Sequence, residues 1–450
     1  MEDHTANLAT FLSDLKYDQL PSEVVLAAKK SILNALACGL GYALHAPAAK
    51  VFRYVQNTQT EREAATILGR RNRTSAEYAA LINGVAITTA DFDDTHLRTV
   101  NHPSGTALAA LLALAEQQPM TGKDFLLAFV VGVEAQIAVG MAVSPGHYKS
   151  GWHITGTTGT FGATAGVAKG MKLDSKRFAA ALGHASSMAA GTRAMFGTDT
   201  KTLHMGRGAQ NGLTAAGLAS HGVESCEGSI EAWARLVSDT VKEDEIDTLA
   251  RSKTKDWQIL QNTFKPYPCG IVVHPLIDAG IQVKSWLSDA NATAKSVERI
   301  EATVSPQCTR LCNVRHPRTG LETIFSLYHG IASGMLYGEA GPKQFSDDGC
   351  RDDSARTLRE KIAVQTDEGI ADDAAVIKVI LDGRDEEVFR VEHATGSLAR
   401  PMTEQQIEAK FRGLASAVLD ENKVQKVITA CWQMDTVEDM AAFVKVLGVD

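Results

Sequence analysis

A chain of 450 residues exceeds one ordinary hydrophobic core, so two domains are the default expectation. Its composition, 44% hydrophobic and 22% charged, is that of a globular protein. The net charge of −8 argues against nucleic-acid binding, because phosphate groups require a basic face, and an anionic substrate must then be held by a local cluster of Lys, Arg and His.

The first half of the chain predicts one helix after another, with residues 64–68 as a short strand-like interruption. Ser104 is expected to cap the helix that follows it, and Thr121 with Asp124 resembles a capping box. The apolar run 125–143 contains Glu134 and Gln136, which favours a core helix over a membrane span. The predicted helices are 22–36, 75–87, 105–116, 125–143, 156–169, 175–188 and 207–220.

Near Trp257 the pattern changes to alternation at period two, which predicts strands. Asp382-Gly383 suits a type I′ turn between two of them. After Pro401 the chain is helical again. The predicted strands are 257–261, 296–304, 361–366, 376–381 and 387–392, and the predicted helices are 275–287, 325–336, 403–411 and 427–446.

These patterns predict a mainly α protein with a large all-helical domain and an inserted, smaller α+β domain. The helical domain is 1–255, completed by 401–450, and the α+β domain is 256–400. The seven cysteines are scattered and odd in number, and the acidic amino terminus resembles neither a signal peptide nor a transit peptide. Reduced thiols in a cytoplasmic protein are therefore expected, with no membrane association and no zinc site.

The loop 90–105 concentrates three carboxylates, two histidines and an arginine. Such crowding is typical of a site where protons move rather than of a packed core. His102 and the amides after Ser104 lie at a predicted helix start, which favours an anion such as a substrate carboxylate. A polar capping loop with an Asx turn is the alternative interpretation.

Three further segments carry isolated ionisable residues. His153 precedes a Gly/Thr-rich helix start that is neither a Walker loop nor a dinucleotide fingerprint; a structural histidine is the alternative. Lys201, His204 and Arg207 recur every three residues, which on a helix makes a carboxylate clamp, with a solvated charged turn as the alternative. Lys265, followed by prolines at the domain boundary, is placed to close over a ligand.

Four motifs together resemble the MmgE/PrpD family. They are Asp-Phe-Asp-Asp-Thr…His-Pro-Ser at 91–104, Gly-Trp-His-x-Thr…Gly-x-Phe-Gly at 151–162, Thr-Lys-x-x-His…Asn-Gly at 200–212, and Phe-Lys-Pro-Tyr-Pro at 264–268. The resemblance implies a helical domain with a smaller α+β lid, a homodimer, and an active site in the cleft between domains. Members include 2-methylcitrate dehydratase, cis-aconitate decarboxylase and iminodisuccinate epimerase, none of which is understood to need a metal or organic cofactor.

Transferred position by position, the resemblance implies these site residues. The expected catalytic residues are Asp91, Thr95, His102, His153, Lys201 and Lys265. His204, Arg207 and His274 lie beside these matches and are expected to bind substrate, as are Tyr328 and His329. The chain departs from the family at Phe325-Ser-Leu-Tyr328-His329, where the family's lid helix reads Phe-Ser-x-x-Tyr and the tyrosine is an active-site residue of the decarboxylase.

The family's reactions all take place at a carbon next to a carboxylate, and each needs an acid or base near neutral pKa and cations that stabilise the developing charge. Our hypothesis is that Lys201, Lys265 and Arg207 hold substrate carboxylates. His102 or His153 then transfers the proton, with Asp91 orienting the imidazole and Thr95 donating to substrate.

The preferred prediction is a cofactor-independent lyase that removes water or CO₂ from a citrate-, alkylcitrate- or aconitate-like acid. An epimerase of iminodisuccinate-like dicarboxylates is the alternative, because the segments 132–135 and 141–148 resemble that branch of the family. A non-catalytic paralogue is disfavoured, since every site segment keeps its ionisable residue. A metal-dependent hydrolase is disfavoured because the thirteen histidines form no HxxxH or His-x-His pair.

Overall fold

The computed structural model describes residues 3–58, 64–252, 255–382 and 386–449. The chain forms two compact units. The first comprises residues 1–89, 93–263 and 404–450, and the second comprises residues 90–92 and 264–403. Residues 256–263, which the sequence analysis placed in the second domain, thus belong to the first unit, and three residues of the polar loop belong to the second.

The first unit is mainly helical, which confirms the predicted class. Its helices are α1 (His4–Asp14), α2 (Ser22–Gly41), α3 (Ala46–Thr58), α4 (Ala76–Thr88), α5 (Ser104–Ala115), α6 (Gly122–Val143), α7 (Gly146–Lys149), α8 (Ile154–Gly170), α9 (Ser175–Met188), α10 (Asp199–Ser220), α11 (Ser229–Val237), α12 (Thr248–Arg251), and, near the carboxyl terminus, α19 (Glu404–Ala415), α20 (Glu421–Trp432) and α21 (Met440–Val446).

Two short antiparallel strand pairs interrupt the helices of the first unit, and the first of them includes the strand-like interruption predicted at 64–68. Strand β1 (Ala65–Thr66) pairs with β2 (Arg73–Thr74), and β3 (Thr95–His96) pairs with β4 (Asn262–Thr263). The second pair fixes the polar loop against a segment more than 160 residues away. Thr263 Oγ1 also donates to the Thr95 carbonyl at 2.6 Å.

Small residues bring the central helices into backbone contact. A Cβ at Gly84 of α4 would lie 2.8 Å from the Cα of Gly206 in α10, and one at Gly132 of α6 would lie 2.8 Å from the carbonyl oxygen of Gly162 in α8. Protein interiors are packed at crystal-like density, so such approaches leave no room for a larger side chain. The Ala/Gly-rich sequence of this half of the chain follows from that packing.

Among the residues that the structure describes, two helices, α2 and α6, are long and apolar enough to cross a membrane by length and composition. The most apolar 18-residue window of α6 is entirely buried within the structure, and 67% of the corresponding window of α2 is buried. A helix that is apolar on every side is expected in the core of a large domain. Burial therefore accounts for the composition of α6.

The second unit contains a four-stranded mixed sheet covered by helices. Its strand order is β6-β5-β7-β8, parallel between β5 and β6 and antiparallel elsewhere. Alternate residues of β7 are buried, and α13 packs against β7 and β8 and in turn against α16. The elements are α13 (His274–Asp289), β5 (Val297–Val304), α14 (Pro306–Leu311), α15 (Gly320–Thr323), α16 (Leu327–Tyr337), α17 (Asp347–Arg351), α18 (Asp353–Glu360), β6 (Ile362–Thr366), β7 (Ala375–Leu381) and β8 (Glu386–Val391).

Several local predictions were wrong. The strand predicted at 257–261 is a 3₁₀ turn, Gln258–Gln261, because buried Glu134 accepts the backbone N–H groups of residues 258 and 259. Ser104 does not cap α5; the helix begins there and the Ser104 hydroxyl donates to Asp94. The helix predicted at 427–446 is divided between α20 and α21. Gly383 of the predicted turn lies outside the described residues.

Gly206→Ala tests the close packing of α4 and α10. The new methyl group would overlap the Leu81 carbonyl oxygen. We expect a loss of about 1–3 kcal/mol in the free energy of unfolding, because an overpacked interface must separate. Gly217→Ala in the same helix is the matched control: nothing lies within 4 Å of its Cβ position, so it should raise stability by about 0.5–1 kcal/mol. Urea denaturation followed by circular dichroism measures both, and equal effects would contradict the packing account.

Candidate active site

Three helix starts in the first unit carry the predicted site residues. His102 stands two residues before α5, His153 is the N-cap of α8, and Lys201 lies in the first turn of α10. The helix dipole places partial positive charge at each of these ends. Each end therefore favours a bound carboxylate.

The three helices pack against one another pairwise, and their amino-terminal halves meet. The His102 backbone N–H donates to Thr155 Oγ1 of α8 at 3.1 Å. A Cβ at Gly156 of α8 would lie 2.8 Å from the Cβ of His204 in α10, and one at Gly105 of α5 would overlap the Met205 sulfur atom. The structure thus brings the segments of His102, His153 and His204 into one region of the first unit.

The ring of His102 is held in a defined tautomer. Its Nδ1 lies 2.7 Å from the Asp94 carbonyl oxygen and 3.3 Å from Thr95 Oγ1. A carbonyl oxygen only accepts hydrogen bonds, so Nδ1 carries a proton. In the neutral ring the lone pair is therefore on Nε2, which is the nitrogen able to act as a base.

Asp94, whose carbonyl holds His102, is itself fixed through its side chain. The carboxylate is fully buried and accepts from the Ser104 hydroxyl and from the Asn262 amide. Burial raises the pKa of Asp94 to about 6, against the hydrogen bonds from Ser104 and Asn262, which lower it. The orienting role that the sequence analysis gave to the Asp91 carboxylate is filled at Nδ1 by this carbonyl.

Asp93 supplies a second carboxylate beside the same ring. Its Oδ2 lies 3.9 Å from His102 Nδ1, and the side chain is fully buried. Within the described part of the chain, neither of its oxygens has a hydrogen-bond partner. Burying such a group is costly unless a cation compensates it, and protonated His102 is a cation within reach.

A buried amide network positions the backbone at residues 101 and 102. Gln136 of α6 donates from Nε2 to Asn101 Oδ1 at 2.7 Å and to the His102 carbonyl at 3.2 Å. Asn101 donates to Thr158 Oγ1 at 2.9 Å, and Thr106 donates to Gln136 Oε1 at 2.8 Å. Buried polar groups satisfied in this way specify one arrangement, so the network holds the loop rigidly against α6 and α8.

His153 and His204 form a pair. Their Nδ1 atoms are 2.9 Å apart. The His153 ring also makes an edge-to-face contact with the Phe196 ring. Burial, and then the charge of Lys201, lower the pKa of His204. Lys201 Nζ donates to Thr88 Oγ1 at 3.4 Å.

The predicted carboxylate clamp is only partly assembled. Lys201, His204 and Arg207 do lie on one helix, α10, as the spacing predicts. Lys201 and His204 are half-buried, whereas Arg207 is exposed and donates to Gln210 of its own helix at 2.5 Å. Arg207 therefore differs from the other two in environment.

In the second unit, buried Lys265 forms an ion pair with Asp91, which is partly exposed. Lys265 is 2% exposed, and its Nζ lies 2.7 Å from Asp91 Oδ2 and 2.8 Å from the Asp91 carbonyl oxygen. Asp91 has a φ of 51°, in the left-handed region that non-glycine residues seldom occupy. Such strain is concentrated at functional sites and persists only where surrounding contacts impose it.

The remaining predicted residues lie within the second unit. His274 begins α13 and meets the Tyr267 ring edge-on at 5.4 Å, and Tyr328 donates to Asn313 Oδ1 at 3.0 Å. His329 is bonded at both ring nitrogens: Nε2 donates to the Gln344 carbonyl and Nδ1 accepts from Arg359, each at 2.8 Å. Burial, and then Arg359, lower the pKa of His329 to about 4.

The residues that support His102 were not among those predicted from sequence. Asp94, Asn101, Gln136, Thr155 and Asn262 all hold it directly or through one further group. One pattern did mark part of this set: Glu134 and Gln136 are polar residues in an otherwise apolar helix, and both are hydrogen-bonded to loops. No comparable sequence pattern distinguishes Asn262.

Comparison with known proteins agrees with the motif resemblance. Residues 6–246 match the MmgE/PrpD N-terminal domain and residues 267–434 match the MmgE/PrpD C-terminal domain. The cis-aconitate decarboxylase of Mus musculus is 26% identical, over 98% of this chain and 93% of that protein. That of Homo sapiens is 27% identical (98% and 94%), and that of Aspergillus terreus is 24% identical (99% and 96%).

His329→Gln tests the buried histidine of the second unit. Below the ordinary pKa of 6.5 the unfolded chain takes up a proton that the folded ring accepts only near pH 4. The stability that this histidine contributes is therefore complete above pH 6.5 and is lost on acidification. Glutamine can bond to both partners but does not take up a proton. Between pH 7.5 and pH 5 the free energy of unfolding of the variant should therefore fall by about 1–2 kcal/mol less than that of the wild type.

Urea midpoints at pH 7.5 and pH 5 measure this difference. His221→Gln, at an exposed histidine of the first unit, is the control and should follow the wild type. Parallel losses in all three proteins would contradict the account of His329.

Proposed function

The chain belongs to the MmgE/PrpD family, and on that premise we propose that it is a lyase which acts, without a cofactor, on a tricarboxylic acid of the aconitate or citrate class. Water or CO₂ is removed at a carbon next to a carboxylate. Three cis-aconitate decarboxylases similar over nearly the whole chain support this class of reaction. The observation that carries the proposal is the tautomer of His102.

His102 is suited to exchange one proton with substrate at a single atom. With Nδ1–H donated to the Asp94 carbonyl, the proton is gained and lost at Nε2. The buried carboxylate of Asp93 favours the cationic ring, and the carbonyl bond is kept in both states. General acid–base catalysis by such a group contributes about 10²–10⁴-fold in rate.

The substrate's negative charge is matched by the helix starts and by Lys201. A tricarboxylate needs several positive groups, and the net charge of −8 means that they must be local. The amino-terminal ends of α5, α8 and α10 supply oriented amides, and Lys201 adds a full charge. Lys265 and Asp91 are proposed as further residues of the same reaction, on the family resemblance.

Decarboxylation of cis-aconitate is the reaction to test first. The bond between carbon and the departing carboxylate breaks, and its electron pair stays on carbon, where the neighbouring double bond and carboxylate delocalise it. Protonated His102 then donates a proton from Nε2 to this carbanion. The products are CO₂ and a five-carbon unsaturated dicarboxylate. In a dehydration, neutral Nε2 instead removes a proton from carbon, and the leaving hydroxide takes this proton from the cationic ring and departs as water.

We also propose a homodimer in the cytoplasm. None of the seven cysteines, all in the described part of the chain, forms a disulfide bond, which suits a reducing compartment. Light scattering of the purified protein tests the oligomeric state, with a mass of twice 48.2 kDa expected.

A panel of acids tests the reaction. The purified protein, with a chelator present, is incubated in D₂O with citrate, 2-methylcitrate, cis-aconitate and iminodisuccinate, and products are followed by NMR and mass spectrometry. Loss of CO₂ or water from a tricarboxylate, with one deuterium on carbon after decarboxylation, is expected. Deuterium exchange into iminodisuccinate alone would replace the lyase proposal with the epimerase alternative.

His102→Gln should lower turnover of the accepted acid by at least 10²-fold, since glutamine cannot cycle a proton. His221→Gln, an exposed histidine on the carboxyl side of α10, should retain wild-type turnover. Circular dichroism verifies that both variants fold. Near-normal turnover by folded His102→Gln would remove His102 from the mechanism.

Asp93→Asn removes the buried charge beside His102 while preserving shape. We expect kcat/KM for decarboxylation to fall about tenfold and the alkaline limb of the rate–pH profile to move to lower pH, because the cationic ring, which donates the proton, loses its counter-charge. Asp289→Asn, which removes an exposed charge in the second unit, should leave the profile unchanged. An unshifted profile in Asp93→Asn would contradict the electrostatic role.

A further inference from the structure

We propose that His204 is a positioning residue that keeps a proton on Nδ1 of His153 and so makes Nε2 of His153 a second proton-transfer atom. The inference rests on the proposed function, because it concerns the same site. It reassigns His204, which the sequence analysis expected to bind substrate. The juxtaposition that carries it is the pair of Nδ1 atoms 2.9 Å apart.

Only one proton fits between two Nδ1 atoms at this distance, so one ring donates and the other accepts. If both rings are neutral, the Nε2 atom of one ring is protonated and that of the other is unprotonated. When the pair gains a proton, one ring becomes an imidazolium and the other remains a neutral acceptor. The hydrogen bond is preserved throughout.

Local charges decide which ring becomes the cation. Lys201 lies one turn before His204 on α10, and burial and Lys201 together lower the pKa of His204. Of the other charged groups nearby in sequence, Asp199 pairs with Lys50, and Arg193 donates to the Tyr148 carbonyl. The positive charge therefore falls on His153, with His204 as its neutral acceptor.

His204 is packed closely against Gly156 and Gly191. A Cβ at Gly156 would lie 2.8 Å from the His204 Cβ, and one at Gly191 would lie 3.0 Å from its ring. The His153 backbone N–H donates to the Gly191 carbonyl at 3.0 Å. Gly191, with φ of 130°, adopts a conformation that glycine accommodates best. Both rings are thus fixed relative to the same turn.

The proposed hydrogen bond from Nδ1 of His153 resembles the one from Nδ1 of His102. There a backbone carbonyl accepts from Nδ1, and here a neutral imidazole does so. The proton balance is simple: substrate gives a proton to Nε2 of His153, or receives one from it, and the Nδ1–H of His153 stays bonded to His204. No oxidant or further reactant is involved.

Three substitutions of His204 or its partner test the proposal on the full-length enzyme. His204→Leu removes the acceptor, and His204→Asn places an amide oxygen near the position of Nδ1. We expect His204→Leu to lower kcat at least thirtyfold with KM changed less than threefold, and His204→Asn to recover at least a third of wild-type kcat. In the presence of His153→Phe, His204→Leu should have no further effect on kcat.

The rate–pH profile separates this role from a merely structural one. The limb that His153→Phe abolishes should shift in His204→Leu and return in His204→Asn. Unchanged kcat in folded His204→Leu, or equal losses in the leucine and asparagine variants with an unshifted profile, would overturn the inference.

A substrate-free measurement distinguishes failure of this inference from failure of the proposed function. The double-mutant cycle of His153→Phe and His204→Leu, read in urea unfolding, reports coupling of the two rings whatever the reaction. Non-additive stability losses are expected. An inactive wild type with coupled rings would refute only the lyase proposal, and additive losses would overturn the pairing itself.

Discussion

The bond from His102 Nδ1 to the Asp94 carbonyl is the contact on which the proposed chemistry depends. A single hydrogen bond contributes only about 0.5–1.5 kcal/mol to stability, so its importance lies in fixing the tautomer. It is held from two sides: Ser104 and Asn262 clamp the Asp94 side chain, while Gln136 holds the His102 backbone. Because these partners lie on separate segments, the tautomer is a property of the assembled first unit rather than of the loop.

The helical fold supplies this site through close packing and through its helix ends. Glycines in α4, α8 and α10 let the helices approach to backbone contact, and the starts of α5, α8 and α10 then present histidines and a lysine together with oriented amides. Electrostatic interactions are weakly screened in the apolar interior of the helical unit. The hydrogen bonds made by the few polar groups there are therefore stronger than they would be in water. Gln136 and Glu134, on buried α6, use this environment to hold two different loops.

Much of the fold and part of the site followed from sequence. The helix at 125–143 was predicted from its apolar pattern and its capping residues, and the helix at 175–188 from a segment rich in Ala and Gly. The strands of the second unit were predicted from the alternation of their residues. His102 was identified because ionisable residues at a helix start suggest an anion site. The support for His102 was missed for a physical reason. The orienting group at Nδ1 is a backbone carbonyl, which has no side-chain signature, and Asn262 lies 168 residues after Asp94, whose side chain it holds. The strand predicted at 257–261 failed because Glu134, distant in sequence, stabilises a 3₁₀ turn there.

The tautomer of His102 can be observed directly in the resting enzyme. Long-range ¹H–¹⁵N correlation spectra of protein labelled with ¹⁵N-histidine, with the His102 signals assigned by their absence from His102→Gln, distinguish a protonated from a bare ring nitrogen. At pH 7.5 the account predicts a protonated Nδ1 and an unprotonated Nε2 for His102. A ring that carries its proton on Nε2, with a bare Nδ1, would contradict the assignment of Nε2 as the atom that exchanges the proton with substrate.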